Sequence, residues 1–383
     1  GFGKSRAMDF STPDAITVDP QTPIRKIETL MIEQNQRFMP VVEHGKIVGA
    51  ITRTDLLRTL YEEFLRRRKI EETITREKPT IGRNLSSWFK EKFPPEIHNL
   101  LRFSGEVAEE LGFNAYLVGG SVRDLLRGEE NLDLDIVIEG DGIAFARAFG
   151  EKLHAKVRTH QKFGTAQIFA ERTKLDVATA RTEYYESPAS LPKVETSSIK
   201  KDLYRRDFTI NTLAVKLNLR DFGLLIDFFG GQRDLREKSI RVLHNLSFVE
   251  DPTRAFRAIR FAERFGFKIS KHTENLIKST IEMNLFSMLS GPRLYEELRL
   301  SFHETEPAKT LKKLSDYGLL KVIHPNLAFT EELEATLRSM QETLSWFNLL
   351  FLEEKPDKGI FYLMALLSGL KDEDMKAAAE RLS

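Results

Sequence analysis

With 383 residues the chain exceeds one ordinary core, so two or three domains are expected. Lys and Arg number 58 against 57 Asp and Glu, a formal charge of +1, which excludes a uniformly basic nucleic-acid coat but not a local cationic face. There is no cysteine, which excludes disulfides and thiolate metal sites, and no run approaches the ~20 apolar residues of a membrane span.

The opening GFGKSRAMDF has neither an apolar signal core nor a starting Met, so the chain reads as soluble, cytoplasmic, and a fragment or engineered form. Residues 12–60 read as a small unit: a strand at 16–18, a helix at 23–34 with Ile24, Ile27, Leu30 and Met31 on one face, then strands at 39–42 and 47–51. A helix follows from Asp55, which Thr52 and Asp55 would cap. Residues 61–80 are dense in charge, with Arg66-Arg67-Arg68-Lys69 before Glu71-Glu72, and read as a solvated helical extension into a linker ending near Pro79. Pro94-Pro95 starts a helix over 96–111 with Ile97, Leu100, Leu101 and Val107 as its apolar positions.

Residues 116–138, YLVGGSVRDLLRGEENLDLDIVI, hold the first chemistry. A strand ends at Gly119-Gly120, where the backbone turns sharply and lets a ligand approach without a Cβ in the way. Residues 122–126 then form a first helical turn whose free N–H groups suit a phosphate. Along the strand at 132–138, residues i and i+2 share a face, so Asp133 and Asp135 point one way and Leu132, Leu134 and Ile136 point into the core. Adjacent carboxylates repel unless a cation sits between them. A phosphate-cradling turn beside such a pair suggests metal-assisted phosphoryl transfer.

GGSVRD followed by D-x-D resembles the signature of the DNA polymerase β-like nucleotidyltransferases. The form LVGG-x-VRD-x-LL-x-G resembles the bacterial class II tRNA branch, which holds CCA-adding, CC-adding and A-adding enzymes and bacterial poly(A) polymerases. That resemblance implies that Gly119, Gly120 and Ser121, with Arg123, cradle a triphosphate, and that Asp133 and Asp135 bind two Mg²⁺. Separately, PVVEHGKIVGAITRTDLL resembles one CBS motif, in which the positions matching Thr52 and Asp55 contact a nucleotide. CBS motifs work in pairs and one is visible here, so a scaffold or dimerising remnant is favoured over nucleotide sensing.

Further along, 142–153 reads as an amphipathic helix, and 157–171 and 173–180 as two strands. The second, KLDVATAR, sets Asp176 among apolar neighbours and resembles the strand carrying the family's third carboxylate, which completes the site and can accept the attacking hydroxyl's proton. Residues 184–200 are polar and contain Pro188 and Pro192; the family keeps such a loop in enzymes that add A. KKDLYRRDFTINTLA matches the family's RRDF-T-x-N segment, which implies nucleotide contacts at Arg206, Asp207 and Asn211; a salt-bridged helix start is the alternative. After a last strand at 224–229, helices dominate.

FVEDPTRAFRAIRFAERF, residues 248–265, matches E-D-x-x-R followed by R-x-x-R-F. Pro252 suits a first helical position, so Asp251 could simply be an N-cap, while Arg254, Arg257 and Arg260 read as one cationic stripe at the nucleotide. In the resembled family the Asp and Arg present a protein template to the base. A carboxylate accepts from the exocyclic amine of A or C and a guanidinium donates to the adjacent ring acceptor. G and U would leave buried groups unpaired, at about 1–3 kcal/mol each. Beyond 268 the chain reads as successive helices at 274–283, 293–302, 308–317, 331–347 and 360–367, with an architectural G-x-R-x-x-E-L at 291–298.

The expected fold is α+β: a small mixed β-sheet nucleotidyltransferase head, then an all-α neck and body, plus an N-terminal CBS-like unit. The expected boundaries are 1–68 for the CBS-like unit, 69–94 for a linker, 95–230 for the head, 231–292 for the neck and 293–383 for an RNA-binding body. The implied activity is addition of the terminal A to tRNA from ATP. A full CCA-adding enzyme using CTP as well, a poly(A) polymerase, and a CBS sensor with an inactive head are the alternatives. The implied partners are a tRNA 3′ end and ATP, with an oligomer open through the CBS-like unit and no membrane.

Overall fold

A polar turn at Glu43 to Lys46, with His44 at φ +48° and Gly45 at φ +75°, folds β1 (Phe38–Glu43) back on β2 (Lys46–Thr52) in an antiparallel hairpin. In this computed structural model, which describes residues 16–23, 26–27, 30–31, 38–52, 80–170, 173–184, 193–350 and 356–383, that hairpin belongs to the unit Gly1–Arg76. Val18 bridges to Val41, and Val18, Ile27, Met31 and Met39 form a small buried cluster. Asp55, its helix and the Arg66–Lys69 run lie outside the described residues.

The second unit, Glu77–Ser383, begins with β3 (Thr80–Asn84), α1 (Ser86–Lys92) and α2 (Pro95–Glu110). Next come β4 (Asn114–Val118), α3 (Gly120–Arg127), β5 (Leu134–Glu139), α4 (Gly142–Lys152), β6 (Lys156–His160), β7 (Thr165–Ala170) and β8 (Thr173–Thr179). The hairpin β9 (Arg181–Tyr184) and β10 (Lys193–Thr196), α5 (Ile199–Tyr204), β11 (Ala214–Lys216) and β12 (Leu224–Asp227) complete the head. Eight strands form one mixed sheet in the order β3-β12-β11-β4-β5-β8-β7-β6, in which only β5 and β8 pair in parallel. The sheet is larger than the sequence suggested.

Three local expectations change. The linker reading fails over 80–92, where β3 pairs with β12 and α1 buries Phe89. The strand expected over 157–171 is a hairpin, broken where Gly164 adopts φ +60°. Leu132 is 42% exposed, because β5 starts only at Leu134 and Asp133 precedes it. α2 and α4 supply Leu101, Phe145 and Phe149 to a core against Ile136, Ile168 and Val177 on one face of the sheet. Their amphipathic spacing makes this possible.

From Gly230 on the chain is almost wholly helical: α6 (Gly231–Arg236), α7 (Ser247–Glu250), α8 (Thr253–Phe265), α9 (Lys271–Glu282), α10 (Gly291–Phe302), α11 (Pro307–Asp316), α12 (Glu331–Asn348), α13 (Lys358–Leu367) and α14 (Asp372–Leu382). One apolar core runs from Phe208 and Ile210 through α8 to Leu382. No helix among the described residues is long and apolar enough to cross a membrane.

Candidate active site

β4 delivers the chain to Gly119, whose φ of +74° and ψ of −132° suit no side-chain-bearing residue, and α3 starts at the next residue. A Cβ on Gly119 would stand 2.9 Å from Nη1 of Arg206, which crosses over the turn. Ser121 is turned the other way. It is fully buried, its Oγ donates to the Val118 carbonyl at 3.2 Å, and it does not line the cleft.

That cleft, of about 840 Å³, is lined by Gly119, Gly120, Arg123, Asp133, Asp135, Asp176, Arg206, Asp207, Asn211, Asp251, Arg254 and Arg257. The sheet register puts Asp135 opposite Asp176 on the parallel pair β5 and β8, and Gln167 opposite Asp176 on β7. Burial and the neighbouring Asp133 push the Asp135 carboxyl up to about 6, against the pull of Arg206, with Asp176 adding to the rise. Asp176 accepts from Gln167 Nε2 at 2.8 Å and pairs with Lys174 Nζ at 2.6 Å. Among the described residues no group of three or more His, Asp or Glu is arranged to hold a metal ion. The Asp133–Asp135 pair nonetheless has the chemistry of a cation site: like charges crowd a buried carboxylate, and a divalent cation between them would relieve it.

The cationic side of the cleft is ordered by buried carboxylates. Asp202, fully buried, accepts from Arg205 Nε at 3.0 Å and Nη2 at 2.8 Å and from Arg206 Nη2 at 3.3 Å. Arg206 Nε is buried and has no partner among the described residues, as a group awaiting an anion would be. Asp207 receives Arg257 Nε at 2.9 Å and Nη2 at 2.6 Å and Asn211 Nδ2 at 2.8 Å. Burial alone would raise the Asp207 carboxyl, but Arg257 and Asn211 outweigh it and hold it below the usual carboxylate range. Asn211 Oδ1 in turn accepts from Arg123 Nη1 at 2.8 Å, and Arg123 forks onto Asp124 and lies 4.5 Å over the Phe265 ring.

On α8 the expected stripe is split. Arg254 Nη1 donates to Ser247 Oγ at 2.9 Å and Nη2 to the Arg205 carbonyl at 3.0 Å. Arg257 goes to Asp207, and Arg260 is buried with Glu297 at 3.2 Å and Glu304 at 3.6 Å, away from the cleft lining. At 3.6 residues per turn each three-residue step rotates roughly 60°, so Arg254 and Arg260 diverge by about 120°. Asp251 Oδ1 accepts from Thr253 N at 3.1 Å, Thr253 Oγ1 at 2.6 Å and Arg293 Nη2 at 2.9 Å. Asp251 therefore does fix the helix start through that one oxygen, and it lines the cleft as well. Thus Ser121 and Arg260 are the expected site residues that the structure does not bring to the cleft.

Sequence reasoning missed Asp202, Gln167, Arg293 and Arg264, the last also lining the cleft. Asp202 was readable, since it lies three and four residues before Arg205 and Arg206. Arg293 stood in the segment set aside as architectural. Gln167 could be found only through the strand register.

Residues 115–241 match the family model described as the poly A polymerase head domain, 7–62 match a CBS domain, and 266–330 match the probable RNA and SrmB-binding site of polymerase A. The chain is 46% identical over 385 residues to the A-adding tRNA nucleotidyltransferase of Geobacter sulfurreducens, covering 100% of this chain and 44% of that protein. It is 38% identical over 374 residues to the A-adding tRNA nucleotidyltransferase of Aquifex aeolicus, covering 98% and 43%. The chain thus spans less than half the length of these two relatives. Among solved structures it resembles an apo form of a CCA-adding enzyme, with 45% identity, a TM-score of 0.74 and coverage of 79% of this chain and 72% of that one. It also resembles the Thermotoga maritima CCA-adding enzyme complexed with tRNA, with 41% identity, a TM-score of 0.68 and coverage of 79% and 70%.

Proposed function

The chain belongs to the bacterial class II tRNA nucleotidyltransferase and poly(A) polymerase family, and on that premise we propose that it adds the 3′-terminal A to tRNA ending in CC. The acceptor 3′-oxygen forms a bond to the α-phosphorus of ATP, the bond from that phosphorus to the bridging oxygen breaks, and pyrophosphate leaves. The single observation that supports this best is the cleft itself, where three carboxylates face a glycine turn crossed by a cation whose buried Nε has no partner among the described residues.

The division of labour follows from the geometry. Gly119 and Gly120 leave room for the triphosphate, and Arg206 and Arg123 supply its positive partners. Asp133 and Asp135 would hold Mg²⁺, two ions in this reading, which would supply positive charge for the phosphates and the attacking oxygen. Asp176, with Gln167 on one oxygen and the half-exposed Lys174 on the other, accepts the proton of the 3′-hydroxyl once Lys174 swings aside. Asp251 offers Oδ2 to the exocyclic amine of the base, and Arg254 must turn from Ser247 to donate to the ring.

A full CCA-adding activity is the second reading, favoured by the solved CCA-adding structures the chain resembles at 45% and 41% identity. Incorporation of labelled ATP and CTP, with Mg²⁺, into tRNA ending in no tail, in C or in CC separates the readings. One A on the CC acceptor alone supports A addition, and C followed by A supports CCA addition. A long A tail on any RNA would mean a poly(A) polymerase. No incorporation would favour a nucleotide-sensing protein with an inactive head. The CBS-like unit is proposed as a site of self-association.

A further inference from the structure

We infer that the open face of β6 and β7 is the track along which the single-stranded RNA 3′ end reaches Asp176. The inference rests on the nucleotidyltransferase reading and adds a surface and a direction to it.

The register carries the argument. Arg158 on β6 pairs with Gln167 on β7, Gln167 with Asp176 on β8, and Asp176 with Asp135 on β5. Directly paired residues share a sheet face, so this row lies on the same side as the carboxylates. The Gln167–Asp176 hydrogen bond at 2.8 Å shows that the side chains follow the backbone. Two residues away in the same face, Lys156 pairs with Phe169. His160, at the other end of β6, lines the cleft.

The opposite face of these strands is closed. Ala166 and Ile168 are buried there in the core that holds Phe145 and Phe149 of α4. On the open face Lys156, Arg158 and His160 are all exposed, at every second residue and so roughly 6.6 Å apart. Phe169 beside them is 37% exposed, with the Arg158 guanidinium 5.9 Å from its ring. An edge strand normally carries charge simply to stay soluble. Here Lys156 and Arg158 carry charge of one sign on one face, in a row that ends at the proton acceptor, with an aromatic ring beside them. Cations at regular spacing with a stacking ring between are what a single-stranded nucleic acid needs, since cations take phosphates and a π-face takes any base.

The test uses the whole chain and a CC-ended RNA acceptor. The double variant Lys156→Ala/Arg158→Ala should raise KM for the acceptor by roughly tenfold or more while KM for ATP stays unchanged. The slope of log affinity for a fluorescent CC-ended RNA against log salt should fall by about 0.7 for each phosphate that is no longer neutralised. Phe169→Ala should weaken acceptor binding and Phe169→Trp should retain it. An acceptor abasic near its 3′ end should be insensitive to Phe169→Ala. An unchanged acceptor KM and salt slope in the double variant overturns the inference, as does a parallel rise in KM for ATP. If the unaltered chain incorporates nothing into any acceptor, the proposed function has failed instead.

Discussion

Asp135 and Asp176 stand opposite each other on the one parallel strand pair of the sheet, yet their surroundings differ in kind. Asp176 has Lys174 and Gln167 as partners, whereas Asp135 has burial and Asp133 against it. The first is already compensated and the second is not.

Asp135→Asn should abolish incorporation while ATP binding partly survives. It should also stabilise the metal-free protein at pH 7. A carboxyl raised to about 6 in the fold lowers stability as pH climbs from its unfolded value near 4 through 6. The gain in Tm from Asp135→Asn should therefore shrink by pH 5, where the native carboxyl is already mostly protonated. Thermal melts in chelator at both pH values decide this; an equal gain at both would dispose of the strained carboxylate.

Gly119→Ala should impair the triphosphate turn. The residue sits at φ +74° and ψ −132°, which costs a side-chain-bearing residue roughly 1–3 kcal/mol, and the new Cβ would press on Arg206 Nη1 at 2.9 Å. A rise in KM for ATP on the order of tenfold, or about 1.4 kcal/mol, is expected. An unchanged KM would mean that Arg206 does not hold its place over the turn.

Breaking the Arg257–Asp207 pair from the carboxylate side should be costly. Asp207→Ala takes the carboxylate away from Arg257, which is only partly buried, and should destabilise the protein by about 1–3 kcal/mol. The loss should fade in acid, because a carboxyl held below its ordinary value contributes above the unfolded pKa and stops contributing as pH falls through the folded one. Urea unfolding at pH 7 and at pH 3 measures both statements.

Arg254→Ala should relax the choice among ATP, CTP, GTP and UTP. Losing a donor to the base removes roughly 1–3 kcal/mol of discrimination. Misincorporation measured in competition is the readout, and unchanged selectivity would remove the protein-template idea.

What the sequence revealed depended on range. The glycine turn and the carboxylate pair were readable because strand period and glycine conformation are local matters. Asp133 fell outside its strand because Asn131 accepts its N–H and the chain enters β5 one residue later. β3 carries no local signal because its partner is β12, and Asn84 bonds to the Phe222 carbonyl 138 residues away. The arginine stripe failed for the same reason: the spacing was visible, but the carboxylates Asp207, Glu297 and Glu304 that draw each guanidinium aside are distant in sequence.

Two of the bonds from α8 cross the seam between sheet and helices, from Arg257 to the Asp207 carboxylate and from Arg254 to the Arg205 carbonyl. The two halves are thus keyed to each other. A chimera that imports the helical half of a relative must keep a carboxylate at position 207, or the guanidinium at position 257 arrives without its lock.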